Sequence, residues 1–276
     1  MHPGLKELVE LLNVEMLEEN LFRGVHPKGK RGRLYGGQIM AQALVAAGRT
    51  VPTQRDPHSL HGYFLRPGDA KIPVVFSVDR IRDGRSFTTR RIAAIQHGQA
   101  IFSMDISFQE REQGLSHQGK MPAIERPDDS KITDKLKKEP FITYLMEYKQ
   151  RLKEVPMAAN QHSWFRTNGE LDTDNNLIHA ALLTFQSDDA LLSTARLPHR
   201  GNFKREDMQS ASLDHAMWFH SPARADQWIL YALDAPQACA SRGYNRGAMY
   251  QEDGTLVAST MQESLMRLRS MEPLIK

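Results

Sequence analysis

Two stretches of this chain carry the same order of hydrophobic periods, and a charged segment separates them. In the first, Leu5, Leu8, Val9 and Leu12 fall at helical spacing, which predicts a short packing helix over the first dozen residues. Residues 14–25 alternate loosely, as a strand does, and a basic, glycine-bearing loop, HPKGKRGRLYGG, follows at 26–37. The run QIMAQALVAAGR at 38–49 is rich in Ala, Leu, Met and Gln, residues that favour helix. Its uniform small-apolar character predicts a helix buried on most sides. Four strand-like segments come next, at 59–65, 72–82, 86–96 and 100–108. Turn chemistry separates them: Arg-Pro-Gly-Asp at 66–69, Asp-Gly at 83–84 and His-Gly at 97–98. A strand, a buried helix and an antiparallel meander predict an α+β unit in which a sheet wraps a central helix.

Residues 110–158 are charged and poor in strand formers, and read as a linker with one helix near 142–152. The pattern then restarts. Trp164-Phe165-Arg166 echoes Leu21-Phe22-Arg23, and a helical stretch covers 176–196. Strands are predicted near 209–219, 227–233, 241–250 and 256–267, with Asp253-Gly254 as a hairpin turn. The repetition reaches residue identity. One fixed spacing separates Phe64 from Phe219, Pro67 from Pro222, Asp79 from Asp234, Ser86 from Ser241, Arg91 from Arg246 and Gln96 from Gln251. A repeat this long is a duplicated domain and not the roughly 20–50-residue unit of a solenoid. The expected organisation is therefore an N-terminal domain at 1–110, a helix-bearing linker at 111–158 and a C-terminal domain at 159–276.

Length agrees, since 276 residues suit two domains at a prior of about 150 residues each. The formal charge of +3, with both signs interspersed, argues against a nucleic-acid groove and still suits a small polyanion. The single cysteine, Cys239, excludes an intramolecular disulfide and a thiolate zinc site, and reads as a packing residue. No apolar run reaches transmembrane length, and the acidic, amphipathic N-terminus lacks the features of a signal peptide. The expectation is a cytoplasmic protein without membrane insertion. No G-x-S-x-G, H-E-x-x-H, C-x-x-C, P-loop or G-x-G-x-x-G motif is present, so the common hydrolase, metal and nucleotide readings lose their support.

Aligning Tyr35 with Phe185 sets Gly36-Gly37-Gln38 against Gln186-Ser187-Asp188. The first copy then opens its buried helix with two glycines and an amide, and the second with a Ser-Asp pair. A carboxylate at a helix N-terminus caps it and answers the dipole, and Asp189 would serve equally, so Asp188 has a structural as well as a catalytic explanation. Ser212, opening the strand SLDHAMWFH, reads alone as a strand-end hydroxyl. Gln262 shares one face of its strand with Thr260 and Ser264, and alternation does not say whether that face is inward.

Six blocks carry a resemblance: LYGGQIMAQAL (34–44), HSLHGYFLRPGD (58–69), RIRDGRSFTTRRIAAIQHGQAIF (80–102), SLDHAMWFH (212–220), SRGYNRGAMYQEDGTLVAST (241–260) and MQESLMR (261–267). Together they resemble the type II, TesB-like acyl-CoA thioesterases, which have a double hotdog fold. The resemblance covers nearly the whole chain and is weakest at 110–158. It implies hydrolysis of acyl-CoA by a water that Asp188 activates as general base and that Ser212 and Gln262 orient, with neither metal nor other cofactor. The serine stands where bacterial relatives often have threonine. Oxyanion donors are expected among the amides of Gly36, Gly37 and Gln38. His215 and His220 read as structural neighbours of the site. Candidates for the CoA phosphates are Arg82, Arg85, Arg90, Arg91, Arg242, Arg246 and the loop Lys28–Arg33. Saturated medium-to-long acyl chains and a homodimer or homotetramer complete the expectation. The competing readings are a hotdog hydratase or dehydratase, against which Asp188 has no histidine close by (His179 and His199 lie too far along the chain), and a non-enzymatic acyl-CoA-binding protein.

Overall fold

Among the described residues, thirteen strands form one sheet that curls around two helices, one from each copy of the repeat. The structure is a computed structural model that describes residues 2–27, 32–133 and 136–269. In the first copy, helix α1 (Pro3–Leu12) buries Leu5, Leu8, Leu11 and Leu12. Strands β1 (Glu15–Glu18) and β2 (Leu21–Gly24) replace the single strand expected at 14–25, because Asn20 takes a left-handed φ of 63° and turns the chain back. Helix α2 (Gly36–Gly48) follows, buried at every residue from Gly37 to Ala47, as its composition requires. Strands β3 (Arg55–Phe64), β4 (Val74–Asp83), β5 (Phe87–Gln96) and β6 (Gln99–Glu110) then make the expected meander.

The second copy begins inside the expected linker. Instead of a helix at 142–152, strand β7 (Phe141–Leu145) pairs along β8 (Asn160–Thr167), and only one helical turn, α3 (Tyr148–Arg151), remains. Burial overrides local propensity there: Phe141 and Ile142 sink into the core, and Phe141 stacks on Phe185 at 5.9 Å between ring centres. The helix expected over 176–196 is α4 (Asn176–Ser187) and a short α5 (Leu191–Thr194), separated by Ala190 at φ 64°. The strand expected at 209–219 is likewise two strands, β9 (Met208–Ser212) and β10 (Asp214–Phe219). Strands β11 (Ile229–Cys239), β12 (Arg242–Gln251) and β13 (Leu256–Leu268) finish the meander. Cys239 lies exposed at the end of β11 and does not pack, contrary to expectation.

The sheet order is β1-β2-β4-β5-β6-β3-β10-β13-β12-β11-β8-β7, with β9 on β13. It reads the same from either end, copy for copy, and β3 with β10 forms the seam. The duplicated residues occupy duplicated places: Asp79 faces Arg91 across β4 and β5, and Asp234 faces Arg246 across β11 and β12. One continuous core serves both copies, from Leu44 and Phe102 to Leu182 and Met249. Among the described residues no helix is long and apolar enough to cross a membrane.

Helices α2 and α4 lie antiparallel in contact, and glycine permits the approach at both ends. A Cβ on Gly37 would stand 2.2 Å from the Phe185 carbonyl oxygen, and one on Gly48 would stand 2.5 Å from the Leu177 side chain. The two clashes differ in kind, because backbone cannot yield and a leucine can rotate. Gly37→Ala is therefore expected to cost about 2–3 kcal/mol and Gly48→Ala less, at the overpacking scale. Equal urea midpoints for the two variants would contradict this helix crossing.

Candidate active site

Because the helices run antiparallel, the C-terminal end of α4 meets the N-terminal end of α2. Asp188 is the residue that ends α4, not one that opens it as the repeat alignment suggests. Its carboxylate still answers a helix dipole, but that of the other copy: the Gly37 amide donates to Asp188 Oδ2 at 3.1 Å. A Cβ on Gly36 would lie 2.7 Å from the same oxygen, so the glycine pair leaves room for the carboxylate. The last carbonyls of α4 are satisfied by side chains. Tyr35 donates to Phe185 O at 2.9 Å, and Tyr231 donates to Ser187 O at 2.9 Å. These bonds leave Asp188 little freedom.

Ser212 reaches Asp188 through a strand irregularity. Ser212 faces Ser264 on β13, whereas Ala216 faces Met261, so the β9–β10 side holds one residue more than β13 and bulges at Leu213. Leu213 N–H donates to Glu263 O at 2.9 Å, and Asp214 Oδ1 accepts from Glu263 N–H at 2.6 Å, which pins the bulge. The Ser212 hydroxyl lies 3.4 Å from Asp188 Oδ1, a long contact of the kind that tightens when substrate binds. Gln262 is 1% exposed and shares the inward face of β13 with the buried Thr260 and Ser264. Its Nε2 donates to Ser212 Oγ at 3.1 Å and to Ser264 Oγ at 3.2 Å. Asp188, Ser212 and Gln262 are thus brought together.

A fourth residue stands behind them. His215 Nδ1 lies 2.8 Å from Gln262 Oε1 and its Nε2 lies 3.0 Å from Ser187 Oγ. Since Gln262 Nε2 is the donor to both serines, Oε1 must accept, and the His215 proton sits on Nδ1. The bonds then share one direction: His215 to Gln262, Gln262 to Ser212, Ser212 to Asp188. Burial pulls the His215 pKa down to about 4, against the Gln262 bond and Asp214, so it stays neutral at physiological pH. Sequence reading placed His215 beside the site; the inward parity it shares with Met217 on β10 was the available signal for more.

Asp188 keeps partial solvent access as a residue, yet its carboxyl is embedded in protein. Desolvation raises its pKa to about 6, while the Gly37 and Ser212 hydrogen bonds oppose the rise. The Gly37 amide is committed to this carboxylate, which removes it from the expected set of oxyanion donors. The Gln38 side chain is directed away, to Val25 O at 3.3 Å and His26 at 2.7 Å. His220 sits elsewhere, on Ser259 at 2.8 Å, and helps line a 260 Å³ pocket with Asp56, His58 and Asn176 that holds none of the trio. Of the arginine candidates, Arg90, Arg91, Arg242 and Arg246 pair with Asp83, Asp105, Glu263 and Asp234, respectively. Arg82, Arg85 and Arg33 are exposed, and Lys28 to Arg31 lie outside the described residues.

The fold is that of a duplicated helix-and-sheet unit whose second copy alone gathers an acid, a hydroxyl and an amide. Sequence profiles of two families match: "Acyl-CoA thioesterase" over residues 135–265 and "Acyl-CoA thioesterase N-terminal domain" over 26–109. Acyl-coenzyme A thioesterase 8 of Mus musculus is 39% identical, over 95% of this chain and 89% of its own length. Acyl-CoA thioesterase 2 of Haemophilus influenzae is 35% identical, over 95% of this chain and 98% of its own. The crystal structure of an acyl-CoA thioesterase II from Mycobacterium marinum superposes with a TM-score of 0.82 at 41% identity, covering 96% of this chain and 98% of that one. The chain belongs to the type II acyl-CoA thioesterase family.

The raised pKa of Asp188 has a consequence for stability. With the folded value near 6 and the ordinary value of 3.8, ionisation opposes folding. The associated stability is complete below about pH 4 and is lost as pH rises through about 6. Asp188→Asn is expected to stabilise the protein at pH 8 by on the order of 1–3 kcal/mol, with the gain vanishing towards pH 4. Thermal melts of both proteins across that range check it, and a pH-independent difference would contradict the desolvated carboxyl.

Proposed function

We propose that the protein hydrolyses acyl-CoA thioesters to a free carboxylic acid and CoA, with Asp188 as general base and Ser212 and Gln262 orienting the attacking water. The observation that carries this reading is the directed hydrogen-bond chain ending on a carboxylate whose pKa is raised to about 6. A base of that strength is largely ionised at neutral pH and still holds a proton well enough to take one from water. Fatty acyl thioesters are the expected substrates, with saturated medium-to-long chains first.

In the reaction, Asp188 accepts a proton as the water oxygen bonds to the thioester carbon. The carbonyl electron pair moves onto oxygen, where amide donors stabilise it. Gly36 and Gln38, at the first turn of α2, carry the remaining helix-start amides for that role. Collapse of the tetrahedral species re-forms the carbonyl, breaks the carbon–sulfur bond and expels the CoA thiolate, which recovers the proton. The Ser212 hydroxyl accepts from Gln262 and donates towards Asp188, an arrangement suited to orientation and not to attack. A hydratase reading lacks a histidine in contact with Asp188, since His215 reaches it only through Gln262 and Ser212. Assembly into a homodimer or homotetramer would cover Tyr63 and Met261, exposed on strands β3 and β13 next to the seam.

Thiol release from a panel of acyl-CoAs tests the assignment. Asp188→Asn is expected to lower kcat by at least about 100-fold, and Ser212→Ala by about 10-fold or more, in line with loss of a base and of an orienting group. The wild-type kcat/KM should fall on an acid limb near pH 6. Turnover that survives Asp188→Asn would move the base elsewhere. For His215, a positioning residue, His215→Phe should lower kcat about 10-fold with KM nearly unmoved, because Gln262 loses its fixed orientation. A change confined to KM would sink that role.

A further inference from the structure

The second copy differs from the first in more than its acid. In the first, residues 49–54 lead from α2 straight into β3; in the second, residues 188–207 intervene between α4 and β9 and fold into α5 and two short helical turns. This added lobe stands over α3, and the two enclose a cavity of about 380 Å³. Arg151 comes from α3, and Arg196, Arg200 and Arg205 come from the lobe, so four arginines and one acid, Glu154, line one cavity together with Tyr148 and Phe203.

These arginines are unlike Arg90, Arg91, Arg242 and Arg246 of the meander, each of which has its carboxylate. Arg196 and Arg205 have no acidic partner among the described residues, and Arg151 bonds only the neutral Gln161, at 3.1 Å. Arg200 meets the mostly exposed Glu154 at 2.7 Å, and its Nε is buried without a hydrogen-bond partner. Burial and the charges of Arg205, Arg151 and Arg200 together hold the Arg196 pKa below its ordinary range. Like charges gathered in a half-buried wall oppose one another, and an anion relieves that opposition through charge-assisted hydrogen bonds. The cavity also adjoins the catalytic end of α4. Gln161, which accepts from Arg151, donates to the carbonyl of Ala190 at 2.9 Å, two residues beyond Asp188.

We propose that this arginine-lined cavity binds the phosphorylated adenosine end of the CoA substrate, the guanidinium groups taking the phosphates and Tyr148 and Phe203 flanking the base. The proposal rests on the thioesterase reading and deepens it. Arginine forks match phosphate oxygens in pairs, and an exposed tyrosine with a phenylalanine supplies flat faces for a purine. The pantetheine arm then runs from this lobe towards Asp188. The same duplication thus gave one copy both the reacting groups and the handle for the leaving group.

The test compares acyl-CoA with the matching acyl-pantetheine, which lacks the nucleotide. Arg196→Gln and Arg205→Gln are chosen because neither side chain holds another part of the fold; Arg91→Gln, on the first copy, is the charge-matched control. Each cavity variant should raise KM for acyl-CoA at least about tenfold, and the preference for acyl-CoA over acyl-pantetheine in kcat/KM should shrink by the same factor. Adenosine 3′,5′-bisphosphate should inhibit the wild type competitively against acyl-CoA, and more weakly in the variants. An unaltered KM in both variants, with wild-type turnover intact, would overturn the cavity assignment and leave the thioesterase reading standing. Non-competitive inhibition would also overturn it, since the anion would then occupy a site apart from the substrate. A wild type that hydrolyses neither ester defeats the thioesterase reading instead.

Discussion

The contact between the C-terminal end of α4 and the N-terminal end of α2 governs the rest of this molecule. Two helices that approach closely enough to lack room for a Cβ must have glycine at the crossing, and Gly37 supplies it. Once the helices are antiparallel, the positive pole of one faces the residue that ends the other. A carboxylate in that position is attracted by the Gly37 amide and penalised by desolvation, and the penalty is the larger of the two. The acid is consequently held in place by the fold while being kept more basic than an exposed aspartate. Geometry and basicity have one origin.

Around that contact, polar groups that would be liabilities in a core are made to satisfy one another. Thr260, Gln262 and Ser264 occupy three successive inward positions of β13, where apolar residues would ordinarily sit. His215 bonds Gln262, Tyr231 bonds Thr260 and Ser212 bonds Gln262, while Ser187 bonds the far side of His215. The bulge at Leu213 offsets β10 from β9 and lets Ser212 lean towards Asp188 while β10 continues along β13. Tight polar networks of this kind favour a single arrangement, because any alternative strands a buried donor or acceptor.

Much of this was legible in the chain. The double periodicity, the turn dipeptides and the fixed spacing from Phe64 to Phe219 through Gln96 to Gln251 gave both copies and the meander order, and the resemblance of the long blocks supplied Asp188, Ser212 and Gln262. What escaped reading was set by long-range partners. β7 is a strand because β8 lies beside it and Phe185 lies beneath Phe141, and neither fact is local. The repeat alignment sets Asp188 at a helix start because two buried helices can be aligned by composition without revealing where each stops. The single-residue bulge at Leu213 leaves the alternation of SLDHAMWFH almost intact. The arginine cavity was invisible because its members are spread from Arg151 to Arg205 and converge only when the added lobe folds back on α3.

The seam between β3 and β10 bears on how this chain is made. During synthesis the first copy emerges well ahead of β10, and until β10 arrives the free side of β3 presents unpaired backbone groups along a partly apolar strand. The first copy also lacks the carboxylate that tops its own central helix, which comes from the second. The nascent chain must therefore wait for its later half both to close its sheet and to bring Asp188 to Gly37, so premature release leaves an open sheet edge and a helix end without its carboxylate.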